Sequence, residues 1–334
     1  MLEGPVAGGV HAWAPFFIIM EAGLKGYRSY SEQLDMLQFE KGLLIPDRSS
    51  AEAILRNISY YSLIGGYKEP FKHKPSGKYL RGVTFDEIYE FYRFDENLRS
   101  VFLKYILHVE RHMKSSISYY FCEKHGSLQS EYLNPANFDH SPKNTRAVNR
   151  LIATMTSAVS LPSRYPYIVH HVKSHGNVPL WVGVNAMTFG SISAFYQYMS
   201  NDLQVKVSKE FPSMSEKQLH QMITMLAKCR NVCAHNERLY SFRTQETIPD
   251  TLLHSKLSIP VRKGQYICGK HDLFSIVIAL RYTLSNEDFK AFKAELSRTI
   301  NSVPAKCPHI TMEDLLSMMG FPHNWKNISR YRKI

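Results

Sequence analysis

Residues 84–126, TFDEIYEFYRFDENLRSVFLKYILHVERHMKSSISYYFCEKHG, carry the clearest structural pattern in the chain. Thr84 and Glu87 are spaced as in a capping box, which predicts that a helix begins here. Behind them, apolar side chains recur every three or four residues, as on one face of a helix, until Gly126. The pattern predicts one long helix, or two joined end to end. Its apolar positions are Ile88, Phe91, Leu98, Phe102, Tyr105, Ile106, Val109, Met113, Ile117 and Tyr120.

Helical patterns continue on both sides of this segment, so we predict an all-α fold. The first predicted helix covers 31–42, with Leu34, Leu37 and Phe39 facing inward. A helix over 179–199 is expected to break or bend at Gly190. Capping boxes and periodic apolar residues predict further helices. These begin near Ser49 and at 145–159, 213–233 (from a capping box at Ser213 and Glu216), 273–284, 285–300 and 311–319.

Composition limits the classes of protein to which the chain can belong. It has 334 residues, 44% of them hydrophobic, with 18 Phe and 20 Tyr, which is enough to build a core and excludes a disordered chain. Lysine and arginine exceed aspartate and glutamate by 41 to 29, and the net charge of +12 favours a polyanionic partner: RNA, DNA or an anionic membrane surface. Of these, nucleic acid is the favoured partner.

Cysteine usage and the N-terminal sequence bear on location. The five cysteines are scattered without a CxxC pair, so neither a disulfide framework nor a zinc ribbon is predicted, and a reducing, cytoplasmic compartment is expected. The apolar run 10–20 is too short to cross a bilayer and contains a His and a Pro. We therefore predict no signal peptide and no membrane association, and we interpret residues 1–22 as a disordered or vestigial leader.

Residues 67–81, YKEPFKHKPSGKYLR, are predicted to form an exposed basic loop because they combine two prolines and a glycine with five basic side chains. Such a segment is either a solvated connector or a site that binds RNA phosphates without sequence preference. The candidate RNA-binding residues are Lys68, Lys72, Lys74, Lys78 and Arg81.

Residues 229–240, CRNVCAHNERLY, place polar side chains where the apolar stripe of a helix should continue. At about 100° per residue, Arg230 falls near the centre of that stripe, whereas Asn231 and His235 share a neighbouring face. An arginine in that position requires an anion. One interpretation is a structural salt bridge to a carboxylate such as Glu110, with His235 as an ordinary helix histidine; the other is a functional site.

The run from Arg230 to His235 resembles the signature of HEPN-domain ribonucleases, an Arg followed after four to six residues by a His. The chain from about residue 27 to 326 resembles the abortive-infection (Abi, AbiD/AbiF-like) family of bacterial phage-resistance proteins. The stretches that carry the resemblance, in the family's order, are YYSLIGGYKEPF (60–71), FYRFDENLR (91–99), VERHMKSSISYYFCEKHG (109–126), VPLWV (178–182), MTFGSISAFY (187–196), CRNVCAHNERLY (229–240) and MGFPHNW (319–325).

This resemblance implies a metal-independent endoribonuclease that acts as a toxin in abortive infection. The RNA 2′-OH attacks the adjacent phosphate and leaves a 2′,3′-cyclic phosphate and a 5′-OH. His235 is expected to act as general base or acid, a role that suits histidine near neutral pH. Arg230 is expected to hold the phosphate and stabilise its transition-state charge, and Asn231 to position the phosphate or His235.

The resemblance also implies that two copies of the signature meet in a homodimer with a composite active site. RNA is the expected substrate, an antitoxin made of protein or RNA is a further expected partner, and no cofactor is implied. Glu110 and Arg111 are secondary candidates, either as catalytic support or as members of an ordinary ion pair.

The same reasoning predicts a HEPN-like helical core with additional N- and C-terminal helices. The expected divisions are the leader 1–22, an N-terminal helical region with the basic loop at 23–82, the core at 83–245, an irregular linker at 246–270 and a C-terminal helical region at 271–334.

Other functions remain open at this point. The main rival is a non-catalytic protein that binds RNA or an antitoxin, in which Arg230 and His235 are structural; a toxin acting at the membrane is a weaker one. Cys229, Cys233 and His235 match no zinc spacing. The cluster His170, His171 and His175 is either a metal or proton-transfer site or a group of surface residues that contact phosphate.

Overall fold

The protein is built from helices, as the computed structural model shows for the residues it describes, 26–331. Within that range the strands are Val261–Arg262 (β1) and Gln265–Tyr266 (β2), which pair antiparallel in a short hairpin. The all-α prediction is confirmed. The expected leader, residues 1–22, lies outside the described residues.

The chain divides into two compact units, which meet in sequence between Asp86 and Glu87. The N-terminal unit contains short helices joined by tight turns. Its basic loop contains a small antiparallel bridge between Lys72 and Tyr79. The helices of this unit are α1 Tyr30–Asp35, a π-helix Met36–Glu40, α2 Arg48–Ile58, a π-helix Tyr61–Gly65 and a 3₁₀-helix Glu69–Phe71.

One inward-facing residue of the first helix was predicted wrongly. Leu34 and Leu37 are buried, but Phe39 is 76% exposed. The helix changes from α to π after Asp35, and the wider turn shifts the angular position of every later side chain. A projection at 3.6 residues per turn therefore places Phe39 on the wrong face.

The long segment quoted first is a single helix, α3, which runs over Phe85–His125 for 41 residues. Its periodic apolar side chains are buried from Ile88 to Ile117. The helix is followed by Gly126 at φ 90°, a left-handed conformation that favours glycine. Of the two predicted forms, one continuous helix is therefore the one that occurs.

In the C-terminal unit, shorter helices contact α3, as the ring pairs Phe102–Phe292 and Phe121–Phe195 show. The helix that bears Arg230 packs against the two helices that cover 189–198 and 273–283. In chain order the helices are α4 Gln129–Tyr132, α5 Thr145–Val159, α6 Pro166–His175, α7 Leu180–Gly183, α8 Phe189–Tyr198, α9 Asn201–Ser208, α10 Glu216–Ala234, α11 Leu252–Lys256, α12 Leu273–Thr283, α13 Asn286–Asn301, α14 Val303–Lys306 and α15 Met312–Met319, with 3₁₀ segments at Pro135–Asn137, Val184–Ala186 and Trp325–Arg330.

Two predicted helix boundaries differ from the structure. The break within 179–199 falls before Thr188, whose hydroxyl caps α8 by accepting the Ser191 N–H, so Gly190 lies inside the helix. The capping box of α10 is formed by Ser215 and Gln218, two residues after the predicted one at Ser213. Ser213 and Ser215 both precede α10, and the fold selects the one that has the required geometry.

The predicted linker at 246–270 contains regular structure. It includes α11 and the β-hairpin, and two of its side chains, Leu253 and His254, are buried in the C-terminal unit. Helix α11 and the β-hairpin are too short for apolar periodicity in the sequence to reveal them.

In helix α12, every residue from Leu273 to Thr283 is buried. A helix that is apolar on all sides belongs in the interior. Its one charged residue, Arg281, is therefore an exception. Among the described residues, no helix is long and apolar enough to cross a membrane.

Candidate functional site

The predicted site residues lie at the C-terminal end of α10. At the start of this helix, the Ser215 hydroxyl accepts the Gln218 N–H at 3.3 Å, and the Gln218 side chain accepts the Ser215 N–H at 3.0 Å. This reciprocal cap satisfies two backbone groups that a helix otherwise leaves unpaired. Eight buried side chains then fix the helix in the core: Leu219, Met222, Ile223, Met225, Leu226, Ala227, Cys229 and Cys233.

His235 caps the C-terminus of α10. Its N–H donates to the Asn231 carbonyl at 2.9 Å, so these two residues lie one turn apart on the same face. Asn236 follows at φ 60°, and the Glu237 N–H donates back to the Val232 carbonyl at 3.0 Å. These bonds form a Schellman motif, which fixes the backbone at His235 and reverses the chain after it.

A buried ion pair on α3 holds the segment that follows His235. The Asp95 carboxylate is fully buried and accepts the backbone N–H groups of Leu239 at 3.0 Å and Tyr240 at 2.7 Å. It also accepts from Arg99 at 2.8 Å, and Arg99 donates to the Glu237 carbonyl at 3.3 Å. The position of His235 is therefore defined from both sides, by α10 before it and by Asp95 and Arg99 after it.

Arg230 lies against the carboxylate that the sequence suggested. Its Nε is 3.7 Å from Oε2 of Glu110, while Oε1 of Glu110 accepts from Lys114 at 2.8 Å. The distance from Arg230 is too long for a hydrogen bond, and both Nε of Arg230 and Oε2 of Glu110 are buried without one. The contact is therefore an ion pair without a hydrogen bond. Glu110 interacts with two cations, Lys114 and Arg230.

Arg230 keeps its terminal nitrogens available. Its side chain is 29% exposed, and within the described residues the guanidinium makes no hydrogen bond. Asn231 and His235 are exposed beside it. One guanidinium, one amide and one imidazole thus share the accessible end of a single helix, and these groups can bind an anion and transfer a proton.

Arg111 does not join this group. Although it is adjacent to Glu110 in sequence, it is exposed and lines a cleft together with His108 and His112. Successive residues of a helix point about 100° apart, which separates the two side chains. The structure therefore brings Glu110, but not Arg111, to Arg230.

The basic loop contains the other set of predicted residues. Lys74, Lys78 and Arg81 are exposed, whereas Lys68 and Lys72 are half-buried. Burial lowers the pKa of Lys72, and the neighbouring charge of Lys68 adds to the effect. The loop thus presents an exposed basic surface in the N-terminal unit.

The cysteine pair of α10 and the histidine cluster of α6 are the other groups that the sequence suggested as metal sites. Cys229 and Cys233 are buried, and burial raises the pKa of the Cys229 thiol. The rings of His170, His171 and His175 lie 5.4 to 5.6 Å from one another at the end of α6. Across residues 26–331, no group of three or more His, Cys, Asp or Glu side chains is arranged to hold a metal ion.

Sequence reasoning missed Asp95 and Arg99. They lie within FYRFDENLR, a stretch that carries the family resemblance, but we assigned them no role. A signal was present, since an acid and an arginine four residues apart form a helical ion pair. Their partners at 237–240 lie about 140 residues away in sequence, and no local pattern identifies such a contact.

Comparison with known proteins gives one match. The sequence model of the family described as Abi-like protein matches residues 53–241, more than half of the chain. This range includes Glu110, Arg230, Asn231 and His235. No curated protein and no solved structure matches the chain.

Proposed function

The chain belongs to the Abi-like protein family, and from this premise we propose that it is a metal-independent endoribonuclease of the HEPN type that acts as a toxin in abortive infection. The RNA 2′-OH attacks the adjacent phosphate, the bond to the 5′ oxygen breaks, and the products carry a 2′,3′-cyclic phosphate and a 5′-OH.

The observation that best supports this proposal is the arrangement at the end of α10. Arg230, Asn231 and His235 lie together on an accessible surface, and the Arg230 guanidinium has no hydrogen bond within the described residues. A charged group that only stabilised the fold would be expected to bond fully to its neighbours. The terminal N–H groups of Arg230 are therefore available to bind a ligand.

Each side chain has a role in the proposed reaction. His235 removes the proton from the 2′-OH or returns one to the leaving 5′ oxygen. Arg230 binds the phosphate through its planar fork and stabilises the negative charge that grows in the transition state. Asn231, one helical turn before His235, donates its amide to the phosphate or to the imidazole.

Glu110 is a positioning residue in this proposal. Its carboxylate draws the Arg230 side chain toward α3 without forming a hydrogen bond, since the distance is 3.7 Å. The terminal guanidinium nitrogens therefore remain free to bind the phosphate. Lys114 shares the carboxylate and limits its attraction for Arg230.

One chain supplies one copy of the signature, and a single histidine must otherwise act as both base and acid. We therefore propose a homodimer in which two copies of Arg230 and His235 face one RNA strand. The exposed lysines of the basic loop would add sequence-independent phosphate contacts. A protein or RNA antitoxin is proposed to restrain the toxin.

A second function is favoured by one specific observation, the contact between Arg230 and Glu110. If that ion pair is purely structural, the protein binds RNA or an antitoxin without cleaving it. The two functions predict different effects of removing His235. An endoribonuclease loses its activity, whereas a non-catalytic binding protein does not need the exposed imidazole.

The test is RNA cleavage by purified protein in EDTA. We expect the wild type to cut, and Arg230→Ala and His235→Ala to lose at least about a hundredfold in rate while remaining folded. His140→Ala removes another exposed histidine of the same unit and serves as the matched control. Full activity of His235→Ala would contradict the proposed mechanism, and activity that EDTA abolishes would indicate a metal enzyme.

A further inference from the structure

The C-terminal unit contains a cleft that borders on α3. It has a volume of about 910 Å³, and its lining includes neither Arg230 nor His235. One wall is a face of α3, where His108, Arg111, His112 and Ser115 follow one another at helical spacing. The rest of the lining comes from the junction between α12 and α13 and from the loop before α10.

Arg281, at the end of α12, is a buried cation in the wall of this cleft. It is 6% exposed, and it donates to the Asn286 side chain at 3.1 Å and to the Tyr331 carbonyl at 3.0 Å. Its Nε is buried without a hydrogen bond. The guanidinium also lies 5.2 Å from the centre of the Phe289 ring.

None of these neighbours is an anion, and no described carboxylate forms an ion pair with Arg281. Burying a charge is costly unless an opposite charge compensates it. Burial accordingly lowers the pKa of Arg281 from its ordinary value. A ligand of negative charge would supply the compensation that residues 26–331 do not.

The other donors of the cleft fit such a ligand. Arg111 is exposed on α3 and has no ion pair within the described residues. The His112 ring packs on Phe211 with 4.5 Å between ring centres, which fixes its orientation. Two guanidinium groups and an oriented imidazole match the oxygens of a phosphate group, to which arginine binds in bidentate fashion.

The start of α13 faces the same space. Ser285 caps this 16-residue helix by accepting the Asp288 N–H at 3.0 Å, and Ser285 and Asn286 line the cleft. The first turn of a helix presents unpaired N–H groups and a partial positive charge, which together favour phosphate.

Two carboxylates also line the cleft, and each already has a partner. Glu210 accepts from the Tyr120 hydroxyl at 2.5 Å, and Asp288 lies 3.3 Å from the His108 ring. They reduce the net charge of the cleft, and neither forms an ion pair with Arg111 or Arg281. They also suit a ligand that has donors of its own, such as a ribose or a base.

We propose that this cleft binds a phosphate group, carried either by a free nucleotide or by an RNA strand. The volume exceeds what an inorganic ion needs and accommodates a nucleotide-sized ligand. The proposal does not depend on catalysis by Arg230 and His235, because those residues lie outside the cleft.

The experiment is calorimetric titration of the full-length protein with inorganic phosphate, AMP and a 2′-O-methyl RNA hexamer, which cannot be cleaved by 2′-OH attack. We expect AMP or the hexamer to bind with a Kd of roughly 1 mM or tighter. Arg111→Gln and Arg281→Lys should each weaken that binding about tenfold, since a charge-assisted hydrogen bond contributes that much or more.

The variants separate loss of the binding site from loss of the fold. Arg111 is exposed, so Arg111→Gln should fold even if Arg281→Lys does not, and Arg262→Gln, on the exposed β1, is the matched control. Effects on AMP alone identify a free nucleotide, and effects on the hexamer alone identify a strand. Absence of binding by all three ligands, or binding that Arg111→Gln leaves unchanged, would overturn the proposal, whether or not the protein cleaves RNA.

Discussion

Asp95 connects α3 to the segment that follows His235. Its carboxylate is fully buried and joins Arg99 to the backbone N–H groups of Leu239 and Tyr240. Removal of one member of a buried pair leaves the other charge without compensation. Asp95 therefore connects the stability of α3 to the position of His235, although it touches no substrate.

We expect Asp95→Ala to lower the free energy of unfolding by about 3–5 kcal/mol, because Arg99 and two N–H groups lose their acceptor in the core. Urea unfolding followed by fluorescence measures this. Glu96 is the neighbouring acid on the exposed face of α3, and Glu96→Ala should change the value by about 0.5 kcal/mol or less. Equal effects of the two substitutions would refute the structural role of Asp95.

A second residue links stability to pH. His254 is fully buried, accepts the Thr251 N–H at Nδ1 and donates from Nε2 to the Gly269 carbonyl at 2.9 Å, so the neutral ring fits this environment. Burial lowers the pKa of His254 below its ordinary value near 6.5. Above that pH the ring is neutral in both folded and unfolded protein; below it the unfolded protein takes up the proton first.

Stability should therefore fall as the pH drops from 7 to 5, with His254 contributing up to about 1.4 kcal/mol per pH unit. His254→Gln should reduce this slope, whereas the exposed His140→Gln should preserve it. The measurement is the free energy of unfolding at several pH values. A slope that His254→Gln leaves intact would show that other groups cause it.

At the residue scale, the sequence was informative about chemistry and less so about contacts. It identified Glu110 as an anion for Arg230, because an arginine on an apolar stripe requires one nearby. It did not identify Asp95, whose partners are distant in sequence, or the cation Arg281 in α12, whose neighbours come from α13 and from the segment at Tyr331.

At the scale of elements, the end of α10 is the decisive feature. The helix ends in a Schellman motif with Asn236 at φ 60°. Residues with a Cβ pay a penalty in this left-handed region, and Asn and Gly are the residues that tolerate it best. The turn directs the chain toward Asp95 and leaves His235 at the surface.

We expect Asn236→Gly to keep the stability and any ribonuclease activity of the wild type, because glycine adopts this conformation without strain. Asn236→Ala should cost about 1 kcal/mol and lower activity, since the backbone that carries His235 is strained. Thermal unfolding of both variants provides the comparison. If alanine is tolerated as well as glycine, the turn does not control the end of the helix.

Element prediction succeeded where one pattern ran over many turns. Helix α3 could be identified because its apolar residues recur over 41 residues, so single errors do not matter. The errors fall at boundaries and short elements. Gly190 does not break a helix because Thr188 caps one just before it, and the π-helix after Asp35 moved Phe39 to the surface.

At the scale of the whole molecule, the structure shows where the cations behind the net charge of +12 lie. The basic loop is an exposed surface in one unit, and Arg230, Arg111 and Arg281 are individual cations in the other. Composition shows the excess of cations and predicts a polyanionic partner. Only the fold shows which cations lack a counter-charge, because that depends on the carboxylates packed around each of them.

The proposed composite site requires two chains. We expect light scattering at micromolar concentration to give a mass near twice the 38.6 kDa of one chain. His235→Ala should have the same mass as the wild type, which separates assembly from catalysis. A mass equal to one chain, for a protein that still cleaves RNA, would contradict a composite site and leave one His235 to act as both base and acid.

The proposed chemistry as a whole depends on the RNA 2′-OH. The measurement is cleavage of an RNA in EDTA, compared with the same RNA carrying one 2′-deoxynucleotide at the position that is cut. We predict that the unmodified RNA yields a 2′,3′-cyclic phosphate end and that the 2′-deoxy substitution abolishes the cut at that position. Cleavage of the 2′-deoxy substrate at an unchanged rate would contradict 2′-OH attack, and with it the assignment of Arg230 and His235 as a HEPN-type ribonuclease site.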